Sequence, residues 1–233
     1  MRTLKIMAFG LLVLALSGVA LHADTLVLTS GYNNVDLIVN NVAITDGGGS
    51  FGGSSSTLNG ASLPWVFCVD LHDTITVPGT YSSTTVTNDA SMTGLNGDSQ
   101  GLNGFNGGSG TVKNAAQVAY LLQTYAAGAM NGTGGSGTSA DQQAALQAAI
   151  WHVIYGGGVN GVDIDPTKNN ASILADYATY IANVGSGNIQ NFDWLSPGNN
   201  LQGLVCVPDG GMTLILLGGA LVGVETLRRK FRV

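Results

Sequence analysis

Two short stretches carry residue types that could react with each other. One is Phe67-Cys68-Val69-Asp70, and the other is Leu146-Gln147-Ala148-Ala149-Ile150-Trp151. A thiolate is the strong nucleophile among side chains, whereas a carboxamide carbonyl is a poor electrophile. Holding Cys68 sulfur against the Gln147 carbonyl makes the attack intramolecular, which can lower the barrier by roughly 7–11 kcal/mol. Ammonia leaves, a thioester remains, and Phe67 and Trp151 are placed to keep water from it. An external amine can then take the acyl group, leaving an amide and a free Cys68 thiol. The competing reading is a disulfide, because the only other cysteine is Cys206 and exported chains oxidise such pairs. In that case Gln147 is an ordinary helix-boundary amide.

The elements that must hold these residues are legible in outline. Leu146, Ala149, Ile150, Val153 and Ile154 recur at helical spacing, so 139–156 reads as an amphipathic helix with Gln147 at the border of its apolar face. Asp141 suits its start, and Gly156 to Gly158 stop it. Further helices are expected at 113–130, ending near Gly128, and at 171–184. Strands are expected at 25–30, 35–44, 63–71 and 79–87, and again at 192–197 and 201–207, with loops at 46–60 and 94–110. A β-rich N-terminal part followed by a cluster of about three helices predicts an α+β domain over 24–206. Cys68 then sits in a buried strand and Gln147 on a helix, two rigid platforms.

Both ends of the chain read as processing segments. Residues 1–23 give Arg2 and Lys5, an apolar run from Ile6 to Leu16 and small residues before a cut after Ala23, with Ala20 as the alternative position, the pattern of a secretory signal helix. At the other end Val207-Pro208-Asp209-Gly210-Gly211 precedes an apolar run from Met212 to Leu227, then Arg228, Arg229, Lys230 and Arg232. That run is short for a bilayer, and the basic cluster after it predicts a cytoplasmic C-terminus. Motif, apolar helix and basic end together resemble the PEP-CTERM class of bacterial sorting tails, in a Val-Pro-Asp-Gly-Gly variant over 207–233. The resemblance implies cutting by an exosortase, a membrane transpeptidase of Gram-negative bacteria that make exopolysaccharide. The protein is then held transiently in the inner membrane before it reaches the cell surface or extracellular matrix.

Charge narrows the function. Between Asp24 and Gly211 the chain has thirteen Asp, no Glu, and only Lys113 and Lys168 as cations. An acidic domain of this kind is unsuited to nucleic acid or to a polybasic membrane contact. His22, His72 and His152 are too scattered for a metal site; His152, one residue past Trp151, is expected at the surface. Asp163 and Asp165 lack the spacing of a calcium loop. No phosphate loop, dinucleotide pattern or nucleophile elbow occurs, so no cofactor and no turnover enzyme is expected.

The ordered pair of motifs resembles bacterial thioester domains, found in surface adhesins. There an aromatic residue or Leu, Cys, an aliphatic and an acidic residue form the first motif; an aliphatic, Gln, two variable residues, an aliphatic and Trp form the second. Phe67, Cys68, Val69 and Asp70 match the first, and Leu146, Gln147, Ile150 and Trp151 the second. The resemblance implies a Cys68–Gln147 thioester, supported by Phe67, Asp70 and Trp151, that attaches covalently to an amine-bearing surface protein or matrix component. The alternative is a non-reactive structural envelope or biofilm protein with a Cys68–Cys206 disulfide. The tail yields its own prediction. Surface protein from cells holding the sorting enzyme should lack Arg228–Val233 by mass spectrometry, whereas an intact basic end means a permanent tail anchor.

Overall fold

The computed structural model describes residues 24–29, 31, 33–48, 56–93, 102 and 110–207. The expected signal segment at 1–23 and the apolar run and basic end expected at the C-terminus lie outside the described residues, as does the expected sorting motif beyond Val207. Among the described residues no helix is long and apolar enough to cross a membrane. The fold is α+β, with ten short strands and three α-helices among the described residues.

Seven strands form one antiparallel sheet: β1 (Asp24–Leu28), β4 (Thr57–Leu58), β5 (Ala61–Ser62), β6 (Val66–Cys68), β7 (Gly79–Thr87), β9 (Asp193–Ser196) and β10 (Leu204–Cys206). Their spatial order is β5-β4-β1-β7-β9-β10-β6. The last two described strands, β9 and β10, therefore sit inside the sheet, and β10 joins β6 to the rest. A second antiparallel sheet has the order β3-β2-β8, from β2 (Asn33–Val39), β3 (Val42–Gly48) and β8 (Val162–Ile164). Period-two burial shows why β2 is a strand: Val35, Leu37 and Val39 turn inward while their neighbours stay partly exposed. The expected single strand over 35–44 is corrected to a hairpin. Asn40 and Asn41 both take positive φ, 50° and 64°, the conformation that two-residue hairpin turns require and that Asn tolerates.

The helices are α1 (Ala115–Asn131), α2 (Ser139–Tyr155) and α3 (Ala171–Ala182). Helix α1 runs past Gly128 to a left-handed cap at Gly132. Gly128 serves contact instead, since a Cβ there would lie 2.8 Å from the Cα of Gly134. Helix α2 begins with a capping box. Thr138 Oγ1 accepts from the backbone N–H of Asp141, and the Asp141 carboxylate accepts from the backbone N–H of Thr138.

The expectation of an amphipathic second helix does not hold. From Gln142 to Tyr155 every residue of α2 except His152 is buried, because α2 packs on α1 and α3, on the second sheet through β2 and β8, and on β6. It is the central helix of the domain, and Gln147 is in the core. Thr138→Ala removes the box that starts this helix and should cost about 1 kcal/mol, read as a lower urea midpoint at unchanged slope.

Candidate functional site

Strand β6 is the edge of its sheet, yet Val66, Phe67 and Cys68 are each fully buried. Its ladder to β10 pairs Leu204 with Cys68, Val205 with Phe67 and Cys206 with Val66. The N–H and C=O of one extended residue point to the same edge, and those of Cys68 point away from β10. Buried there, they need partners. Gln147 supplies both: its Oε1 accepts from the Cys68 N–H at 2.9 Å, and its Nε2 donates to the Cys68 carbonyl at 2.8 Å. Only one orientation of the carboxamide satisfies both bonds. Gln147 is itself fully buried.

The pairing continues past β6, because the Val69 N–H donates to the Gly203 carbonyl at 2.9 Å. An extended chain brings Asp70 back to the face that Cys68 uses. Helix α2 lies alongside, with Gln147, Trp151 and Tyr155 spaced one turn apart. Two turns beyond the Gln147 contact, the Tyr155 hydroxyl accepts from the Leu71 N–H at 3.0 Å and donates to Asp70 Oδ1 at 3.4 Å. Trp151 is fully buried between these two contacts, and its indole N–H has no hydrogen-bond partner. The structure thus gathers Cys68, Asp70, Gln147 and Trp151. It does not gather Phe67, which alternation turns to the opposite face, where its ring meets that of Trp65 edge-on at 5.6 Å. Phe67 supports the strand from behind rather than covering the pair.

Asp70 has no exposed surface. Its Oδ1 also accepts from the His72 N–H at 2.9 Å, while Oδ2 is buried with no donor. The carboxyl is raised to about 7, above all by burial; the His72 N–H pulls the other way, and the neighbouring Asp73 adds to the rise by sharing a proton and by repulsion. The Gln202 side chain fixes the backbone by donating to the Asp70 carbonyl at 2.8 Å.

Cys68 and Cys206 are not joined by a disulfide. The register explains why: Cys68 faces Leu204 and Cys206 faces Val66, so the two sulfurs belong to a diagonal pair. Diagonal neighbours stand roughly 7–8 Å apart, beyond the usual disulfide span of roughly 4.4–6.8 Å. The Cys68–Cys206 disulfide is therefore corrected to two buried thiols, with Cys206 held protonated by burial and by nearby Asp193.

His152 is also corrected. It is mostly buried, with Nδ1 at 2.8 Å from Asp163 Oδ1, 3.0 Å from the Val162 carbonyl and 2.9 Å from the Tyr177 hydroxyl, and this cluster ties α2 to β8 and α3. Sequence reasoning missed Tyr155, Asp73 and Gln202. Only Tyr155 left a signal, the four-residue spacing from Gln147 through Trp151. Among the described residues no group of His, Cys, Asp or Glu could hold a metal.

A family model, the thioester domain, matches residues 65–186, a little over half of the chain, and that span includes both Cys68 and Gln147. No curated protein and no solved structure matches the chain.

The buried acid leaves a thermodynamic signature. An unfolded aspartate titrates near 3.9, so between about pH 4 and pH 7 the folded state keeps a proton on Asp70 that the unfolded chain has lost. Stability should fall as pH rises through that window, by up to roughly 1.4 kcal/mol per unit. Asp141 and Asp89, whose carboxyls are lowered by hydrogen bonds, slope the other way. The test is therefore the difference between wild type and Asp70→Asn in urea melts at each pH. The wild type should lose ground steadily from about pH 4 to 7, and a constant difference contradicts a proton held at Asp70.

Proposed function

The chain belongs to the thioester-domain family, and on that premise we propose that Cys68 and Gln147 form its internal thioester and that the exported domain uses it once, to attach covalently to an amine-bearing partner. The observation that carries this reading is the double hydrogen bond between the Gln147 carboxamide and the Cys68 backbone. It places the carboxamide in the plane of the strand's hydrogen-bonding edge. A strand side chain leaves perpendicular to that plane, so Cys68 sulfur approaches from the side on which an sp² carbon is attacked. The Cys68 N–H polarises the carbonyl and is placed to stabilise the oxyanion of the tetrahedral intermediate. Sulfur adds to the carbonyl carbon, the carbon–nitrogen bond breaks, and the thiol proton leaves with nitrogen as ammonia.

The rest of the chain suits a surface role. Residues 1–23 direct export, residues 24–206 form the reactive domain, and residues 207–233 form an exosortase-processed tail on the Val207–Gly211 motif, stopped by Arg228, Arg229 and Lys230. The partner is an amine-bearing surface protein or matrix component of a Gram-negative-type cell.

The purified exported domain should weigh one ammonia less than its sequence. Cys68→Ala and Gln147→Ala should each abolish the deficit, and Cys206→Ala should preserve it. Methylamine should add to Gln147 and free one thiol for alkylation. A mass equal to the sequence, with two thiols open to alkylation after unfolding and no response to methylamine, overturns the proposal.

A further inference from the structure

Thioester chemistry in a dry core has a proton problem. Cys68 is fully buried, so sulfur expelled as a thiolate would place a negative charge in the core, at a high desolvation cost. A proton donor within the core is required, and one candidate stands out. Eight residues of helix from Gln147 to Tyr155 advance about 12 Å, and along that length α2 touches Cys68 through Gln147 and then Asp70 and Leu71 through Tyr155. Asp70, two residues past Cys68, stands between those contacts, and its buried Oδ2 accepts no hydrogen bond.

Resting on the thioester reading, we propose that the Asp70 carboxyl carries the proton between Cys68 sulfur and the nitrogen at the Gln147 carbonyl carbon, in both directions of the reaction. During formation, the protonated carboxyl gives its proton to the departing nitrogen and takes the thiol proton in its place as sulfur bonds to the Gln147 carbon; the carbon–nitrogen bond breaks and ammonia leaves. During opening, the incoming primary amine bonds to that carbon, the carbon–sulfur bond breaks, and Asp70 protonates sulfur. The carboxyl then recovers a proton from the amine nitrogen, so no proton is gained or lost. The groups facing this carboxyl are His72 and Asp73 from its own segment, Tyr155 from α2 and Gln202 from the connection between β9 and β10. None is a fixed cation. Burial keeps the proton on Asp70 up to about pH 7, so the acid form is present at neutral pH and lost above it.

The experiment follows methylamine opening in wild type and Asp70→Asn across pH 5.5 to 9, with rates expressed per free amine and the ammonia deficit measured beforehand. In wild type the rate per free amine should fall as pH rises through about 7. Asp70→Asn should open at least about ten-fold more slowly at pH 6, the low end of what a positioned acid contributes, with a flat profile. A variant within two-fold of wild type, with the same profile, overturns the role of Asp70 while leaving the thioester intact. A wild-type profile without the inflection overturns it too, and that measurement stands if the variant does not fold. A wild type with no ammonia deficit overturns the thioester itself. A purely structural Asp70 would lower the yield of folded variant but leave its profile bent, which also counts against the proposal.

Discussion

The structure turns on a carboxamide that finishes a β-sheet. Strand β6 lies at the sheet edge and inside the protein at once, a combination that leaves backbone groups needing partners where no water can serve. Gln147 answers from 79 residues away with one donor and one acceptor. A carboxamide offers that donor and acceptor side by side without a charge, and a charged side chain could not be buried there unpaired. The requirement fixes the register of α2 along the strand. From that register follow the burial of Trp151, the reach of Tyr155 to Asp70 and the position of any chemistry at Cys68.

The same device recurs elsewhere on α2. Gln142 accepts from the Gly134 N–H and donates to the Gly137 carbonyl, bracing the connection from α1, and Gln143 links Asn33 to Ser139. A domain with two lysines, no arginine and no glutamate over 24–206 cannot build a core from ion pairs, and amides take their place. Neutral amides carry no large desolvation penalty when fully paired. They also leave an internal acyl electrophile few amines of its own chain to meet.

How much of this was legible follows from the range of each interaction. Helices α2 and α3 and strand β7 announce themselves by local periodicity and caps, and they lie close to where the sequence puts them. The Cys68 and Gln147 motifs are equally local. The Asn40–Asn41 turn was missed because apolar residues run on both sides of it, and only the pair of positive φ values reveals the fold-back. Burial of Gln147 was missed because periodicity reports a helix's own pattern. It does not report how many neighbours surround the helix, and α2 is enclosed on nearly every side. The relation of Cys68 to Cys206 depends on the β6–β10 register, set by pairing across most of the chain. Asp70 looked like a motif letter; its unusual proton affinity comes from the burial and the Asp73 carboxyl that the fold supplies.

The geometry also ties stability to reactivity. In the resting amide the Cys68 N–H and C=O are both satisfied by Gln147. In a thioester made here the acyl oxygen can still accept from the Cys68 N–H, but the acyl carbon carries sulfur in place of the nitrogen that donated to the Cys68 carbonyl. Closing the thioester therefore gives up one of the two bonds by which Gln147 completes the sheet edge and holds α2 against β6. Stability and reactivity share one pair of hydrogen bonds.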